Sequence, residues 1–284
     1  MNQIAKPAAA AGTIRLGDLV LNRMGFGAMR ATTGPEIWGP PRDRAAARKV
    51  LHRALELGIN FFDTADSYGP EASETVIAEA LHPYPQGLVI GTKGGLVRPS
   101  APRWDPDGRP EHLRRALEGS LRRLKLERVD LYQLHAPDPK VPFADSVGTL
   151  AEAQRAGKIR HIGLSNVSVK ELEAARRIAP IVSVQNEYNL ENRESEDILD
   201  ACERLAIAFI PWYPLGEGKV LGSRKLKRAA AKLGSTPAQA ALAWLLARSP
   251  SMLPIPGTAS IAHLEENTAA AALKLSPEEL AAFD

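Results

Sequence analysis

The sequence is poor in cysteine, with Cys202 alone among 284 residues. One thiol excludes an intrachain disulfide and cannot build a thiolate metal site; it suits a reducing cytoplasm, and no metal is implied. An excess of one charge is missing as well. The 36 Lys and Arg are offset by 33 Asp and Glu, for a formal net charge of +3. Because the two signs are mixed along the chain, the pI near 9.0 carries no argument for a nucleic-acid partner. Long hydrophobic runs are absent: no window reaches the roughly 18 apolar residues of a membrane span. The opening MNQIAKPAAAAG has no apolar core followed by a cleavage site. Residues 1–12 are therefore expected to form a disordered tail and not a secretory signal.

What is present is an ordinary globular composition, 44% hydrophobic and 24% charged, able to bury a large core. After a short hairpin over TIRLGDLVLN, with Gly17-Asp18 at its turn, apolar runs alternate with segments of helical period. The runs cover residues 23–28, 59–64, 88–92, 129–135, 159–165, 181–187, 207–213 and 252–257. Between them, Ala47, Val50, Leu51, Ala54 and Leu55 share one helical face, as do Leu113, Leu117, Leu121 and Leu124. Asp43, the pair Ser168 and Glu171, and Thr236 before Pro237 read as helix starts.

Strand and helix in regular alternation mean parallel strands joined by right-handed crossovers. About eight such units is the number that closes into a (β/α)8 TIM barrel, a fold that commonly runs to roughly 250 residues. No linker divides residues 13–284, which are expected to be one domain; an open doubly wound sheet is the alternative. Two loops are long for a barrel, residues 30–42 with Trp38 and residues 94–110 with Trp104. Both follow strands, at the mouth where barrel enzymes keep their chemistry. The two tryptophans either line a substrate pocket or pack their own loops down.

In the barrel reading, Asp63, Lys93 and His135 end successive strands, and Tyr68 sits on the loop after Asp63. Singly these are a cap, a solvated charge, a core histidine and a stray aromatic. Together they suit proton donation. Tyrosine stays protonated at pH 7 but releases its proton reluctantly, and a nearby ammonium favours the phenolate. Asp63 would orient Lys93, and His135 would hydrogen-bond the same substrate oxygen. Such a set fits protonation of an alkoxide formed when hydride attacks a carbonyl.

The segments INFFDTADSYG, TKGG, DLYQLH, HIGLSN, VQNEYN, WYPLG and IPGTASIAHLEEN occur in the order and spacing of the aldo-keto reductases, and the chain resembles that family over residues 13–284. The resemblance implies a tetrad of Asp63, Tyr68, Lys93 and His135 with Tyr68 as general acid. It also implies NADPH/NADP+ bound without a Rossmann glycine loop, with NADH possible. The one near match, GEGKVLG, lacks the third fingerprint glycine.

By resemblance, Ser165, Asn166 and Gln185 hold the nicotinamide carboxamide, Trp212 packs on the ring, and Leu215, Gly216 and Gly218 run beneath the pyrophosphate. Gly27, Ala28, Met29, Tyr213 and Ile255 are further implied cofactor contacts. In IPGTASIAHLEEN, Glu266 and Asn267 match adenine contacts, but Gly257 and His263 stand where many members carry Lys or Arg for the 2′-phosphate. Thr258, Ser260 and backbone N–H groups at the helix start remain as anion ligands.

Within the family the motifs are most similar to a bacterial branch that includes pyridoxal reductase. That branch implies a small carbonyl substrate, pyridoxal, and the family a monomer or weak homo-oligomer; composition and charge point to a cytoplasmic protein without nucleic-acid or membrane partners. A broad carbonyl reductase and a nicotinamide-binding redox sensor are the alternatives.

Overall fold

The computed structural model describes residues 6–281 and 283. A hairpin of β1 (Thr13–Leu16) and β2 (Leu19–Asn22) opens it, pairing antiparallel about a turn in which Gly17 takes a φ of +64°. The central sheet uses β3 (Phe26–Gly27), β4 (Phe61–Asp63) and β5 (Val89–Gly94). A small antiparallel pair, β6 (Leu96–Val97) and β7 (Asp105–Pro106), stands apart in the 94–110 loop. The sheet continues with β8 (Val129–Leu134), β9 (Ile159–Ser165), β10 (Ile181–Gln185) and β11 (Ala208–Phe209). Its order is β11-β10-β9-β8-β5-β4-β3, every pairing parallel.

The expected eighth strand, 252–257, makes only a bridge at Met252. Pro254 and Pro256 have no N–H to extend a ladder. The segment is still bonded on both sides: Phe209 N–H donates to Ser251 O at 2.8 Å, Leu253 N–H to Phe209 O at 2.8 Å, and Gly25 N–H to Pro254 O at 2.9 Å. Pro211 likewise cuts the 207–213 run to two strand residues.

Side chains alternate along each strand. Inward-facing Phe61, Val89, Leu131, Ile210 and Leu253 cluster with Leu16 and Leu21, so the hairpin plugs one end of the sheet's concave interior. Outward-facing Phe62, Ile90, Tyr132, Ile162 and Val184 join the larger layer beneath the helices. Helix starts form as read: Asp43 accepts from Ala46 N–H, and both capping boxes close, Ser168 with Glu171 and Thr236 with Gln239.

The expected tail needs correction. Residues 1–5 lie outside the described residues, whereas Pro7–Ala11 form a 3-10 turn with Ala8 and Ala11 buried. Small alanines pack where larger side chains would not, and Ala8 N–H reaches Leu57 O at 3.0 Å. No helix among the described residues is long and apolar enough to cross a membrane.

Candidate active site

Period-two alternation brings the chemistry together. On β4 the inward positions are Phe61 and Asp63, on β5 Val89 and Lys93, on β8 Leu131 and Gln133 with His135 just beyond, and on β10 Ser183 and Gln185. Strands β4, β5 and β8 therefore turn from apolar to polar at their C-terminal ends, where Gln185 of β10 joins them.

Lys93 is the hub. Its side chain is 0% exposed and that of Asp63 3%. Nζ donates to Asp63 Oδ1 at 2.6 Å, to Thr64 O at 2.9 Å and to the Tyr68 hydroxyl at 3.4 Å. Asp63 Oδ2 accepts from Gln185 Nε2 at 2.8 Å and Gln133 Nε2 at 3.2 Å. The carboxylate is thus held by three donors and its ammonium partner by three acceptors, the condition for a buried pair to persist. The His135 ring stands edge-on to Tyr68 with centroids 5.8 Å apart, and its Nδ1 is 3.3 Å from Ser67 Oγ.

Burial opposes the charge on Lys93, but Asp63 and Tyr68 outweigh it and the ammonium stands above its ordinary value. Burial, with Lys93 second, holds the His135 imidazole well below 6.5, so the ring is neutral at pH 7. The Tyr68 hydroxyl departs from the simple expectation. Burial lifts it above 10.0 and Lys93 opposes the rise without cancelling it. Tyr68 is therefore a fully protonated acid whose conjugate base has an ammonium 3.4 Å away.

The cleft above these groups encloses about 450 Å³. Asp63, Tyr68 and His135 line it and Lys93 lies beneath. Of the residues assigned to the nicotinamide, Ser165, Asn166, Gln185 and Trp212 all line it, joined by Tyr213 and Leu215. Asn166, at a left-handed φ of +58° that asparagine tolerates, knits the floor. Its Nδ2 donates to His135 O at 2.9 Å, and its Oδ1 accepts from Trp212 Nε1 at 3.0 Å. The Gln185 amide is already engaged by Asp63 and so also fixes that carboxylate.

Gly27, Met29, Gly218, Ile255 and Gly257 line the cleft's other arm. Here the backbones of Gly27 and Gly257 meet. A Cβ on Gly27 would stand 2.7 Å from Ile255 O, and one on Gly257 would collide with Gly27 O. This explains why position 257 bears no Lys or Arg. Ala28 is buried behind the wall, its N–H on Asp63 O at 2.9 Å. Gly216, Thr258, His263, Glu266 and Asn267 do not line the cleft. Thr258 Oγ1 accepts from Ser260 N–H, and Ser260 Oγ caps the helix Ile261–Ala269 by accepting from His263 N–H.

Of the two tryptophans, Trp104 lines the cleft, edge-on to Tyr68 at 6.2 Å and His135 at 6.4 Å. Trp38 does not; it is 41% exposed and its neighbour Ile37 takes the wall position. Sequence reasoning missed Arg30, Ile37, Leu96 and Glu217 in the lining. Arg30, in the helical turn Met29–Thr32, and Glu217, in the 3-10 segment Gly216–Gly222, pair at 2.6 Å, and nothing local marks them. Gln133 was readable as the next inward position after Leu131.

The aldo/keto reductase family model matches residues 23–284. An uncharacterised oxidoreductase of Schizosaccharomyces pombe is 51% identical over 281 residues, 99% of this chain and 91% of that protein. Escherichia coli pyridoxine 4-dehydrogenase is 45% identical over 282 residues, 97% of this chain and 98% of that protein. A Klebsiella pneumoniae aldo-keto reductase solved in complex with NADPH superposes with a TM-score of 0.81 at 28% identity, covering 96% of this chain and 93% of that one. The chain belongs to the aldo/keto reductase family, and it is an oxidoreductase that uses a nicotinamide cofactor.

Proposed function

We propose that this protein reduces an aldehyde or ketone to an alcohol with NADPH, using Tyr68 as the proton donor, and that pyridoxal and pyridoxine are its substrate pair. The observation that carries the reading is the buried Lys93 ammonium touching Asp63 and the Tyr68 hydroxyl at once. We take the fold to be a closed eight-stranded barrel, since the 251–254 segment is bonded to Phe209 and Gly25 on its two sides.

The residues present fit the cofactor. Asn166, Ser165 and Gln185 offer amide and hydroxyl groups at one end of the cleft, and the opposed Gly27 and Gly257 backbones leave a side-chain-free cradle at the other. No acidic residue occurs between Glu217 and Glu265, so the chain beyond the cleft favours a polyanion. The nicotinamide, when bound, supplies the hydride.

The protein supplies the proton and its control. Tyr68, kept protonated by burial, gives its proton to the developing alkoxide; Lys93 stabilises the phenolate left behind; Asp63 keeps Lys93 charged and aimed. Neutral His135 orients the carbonyl oxygen without adding a second positive charge. With Gly257 closed to side chains and His263 standing in place of Lys or Arg, NADH is accepted beside NADPH. The setting is a cytoplasmic monomer or weak homo-oligomer.

The test follows the loss of reduced-nicotinamide absorbance with pyridoxal, NADPH and NADH side by side. Turnover is expected with NADPH, falling by at least ~100-fold in Tyr68→Phe while NADPH still binds. Failure to reduce pyridoxal or any other aldehyde would sink the reading.

A further inference from the structure

The tetrad sits on strand ends, but the cleft's outer wall is carried by two loops, and one side chain holds them together. Arg98 is 7% exposed and does not itself line the cleft. Its Nε donates to Arg103 O at 2.9 Å, closing the 98–103 turn on itself. Its two terminal nitrogens cross to the other loop and donate to Ile37 O at 3.0 Å and Glu36 O at 3.1 Å. The guanidinium also lies over the Trp104 ring, 3.9 Å from its centroid, with the Trp38 ring 5.5 Å away.

The acceptors are unusual. Glu36 and Ile37 both hold left-handed backbone, at φ of +56° and +57°, a conformation that costs an L-residue roughly 1–2 kcal/mol and is rare for a β-branched side chain. Two consecutive such residues persist only where surrounding contacts over-determine them, and the Arg98 fork binds both of their carbonyls. Two of the residues held in this way face the cleft, Ile37 from the first loop and Trp104 from the second. Trp104 in turn abuts Tyr68 and His135.

We propose that Arg98 is a specificity-determining positioning residue, clamping the 33–38 loop to the 96–105 loop so that Ile37 and Trp104 form a fixed apolar wall that selects flat, ring-bearing aldehydes over small aliphatic ones. The proposal rests on the carbonyl-reduction reading above. Three of the guanidinium's donor directions are used on backbone carbonyls and one face is covered by indole, and Arg98 does not line the cleft, so it makes no direct contact with the substrate. Its effect is on the shape and rigidity of the wall. Lysine cannot replace it, because an ammonium has no planar fork to span two successive carbonyls and no flat face to stack.

The experiment compares the full-length protein with Arg98→Lys and Arg98→Leu, using pyridoxal and propanal as substrates and measuring NADPH affinity separately. In both variants the KM for pyridoxal should rise about tenfold, the lower range for a displaced pocket contact, with kcat and NADPH affinity within about twofold. The kcat/KM for propanal should change little, and lysine should not rescue. An unchanged ratio of pyridoxal to propanal selectivity, or equal losses of kcat on both aldehydes, would overturn the proposal.

Hydrogen–deuterium exchange of the 33–39 amides gives a readout independent of turnover. Faster exchange in Arg98→Lys at an unchanged Tm supports the clamp, and unchanged exchange overturns it even if the wild-type protein reduces neither aldehyde. That last result would count against the carbonyl-reduction reading alone.

Discussion

An aspartate, a cation and a histidine meet at each end of the sheet. At the C-terminal ends of the strands they are Asp63, Lys93 and His135; at the other end Asp18 of the hairpin turn receives Arg160 Nη2 at 2.6 Å and meets His161 Nε2 at 2.5 Å, both from the start of β9. The residue types match and the aspartate–cation distance is 2.6 Å in both, but His161 bonds Asp18 directly whereas the His135 ring faces Tyr68, and the surroundings differ. Asp18 has a side chain 65% exposed, against 3% for Asp63. Water and salt screen the outer cluster, so its charges do little beyond fastening the hairpin. Burial removes that screening at the inner cluster, where it keeps Tyr68 protonated, His135 neutral and Lys93 dependent on Asp63.

The sharpest way to break the contrast is Asp63→Asn. It leaves the Lys93 ammonium in a closed interior without its counter-charge, a change expected to cost about 3–5 kcal/mol of stability and most of kcat. Chemical denaturation and steady-state turnover measure the two losses. A variant as stable and active as wild type would show that Lys93 does not need its partner. Gly257→Ala comes next, because the new methyl must push back the Gly27 carbonyl. About 1–3 kcal/mol of destabilisation is expected, with weakened NADPH binding readable by fluorescence titration; unaltered affinity would separate this cradle from the cofactor.

The inner cluster was legible because strand periodicity and chemistry agree there. Apolar inward positions such as Phe61, Val89 and Leu131 give way to Asp63, Lys93 and Gln133 at one level, and a polar residue closing an apolar run is visible in the letters. The outer wall was not legible. Arg98 meets Glu36 and Ile37 across 62 and 61 residues, and no local pattern says which arginine will stack on which tryptophan. Sequence alone accordingly leaves Trp38 open between pocket wall and loop packing, and it is its neighbour Ile37 that occupies the wall. The balance at Tyr68 was misjudged for a related reason, since the ammonium's help can be inferred from proximity in sequence motifs but the depth of burial that outweighs it depends on the folded chain. The eighth strand was overestimated because its apolar run hides two prolines' missing donors.

A smaller effect, on pH dependence, sharpens the comparison between the two histidines. His135 has its folded value pulled well below 6.5, so as pH falls through about 6.5 the unfolded chain takes up a proton that the folded chain refuses. Stability should therefore decline on acidification in this window, and the decline should stop once pH passes the depressed folded value. His135→Gln removes that contribution. Tm measured between pH 8 and 5 should fall less steeply in the variant than in wild type, and parallel curves would mean that the imidazole is not desolvated as its burial implies.

The smallest expected effect belongs to the outer cluster. Hydrogen bonds from Arg160 first and His161 second hold the Asp18 carboxyl well below the usual carboxylate range. A depressed acid contributes stability above its unfolded value near 3.9 and loses it as pH drops toward the folded value. Asp18→Asn should thus flatten acid denaturation below about pH 4, leave kcat/KM within about twofold, and have less influence as salt rises. The activity arm is the decisive one. If removing this exposed carboxylate lowered turnover as Asp63→Asn is expected to do, the hairpin plug and the buried polar end of the sheet would be coupled through the Phe61, Val89 and Leu131 layer that separates them, and burial alone would no longer account for the difference between the two aspartate–cation pairs.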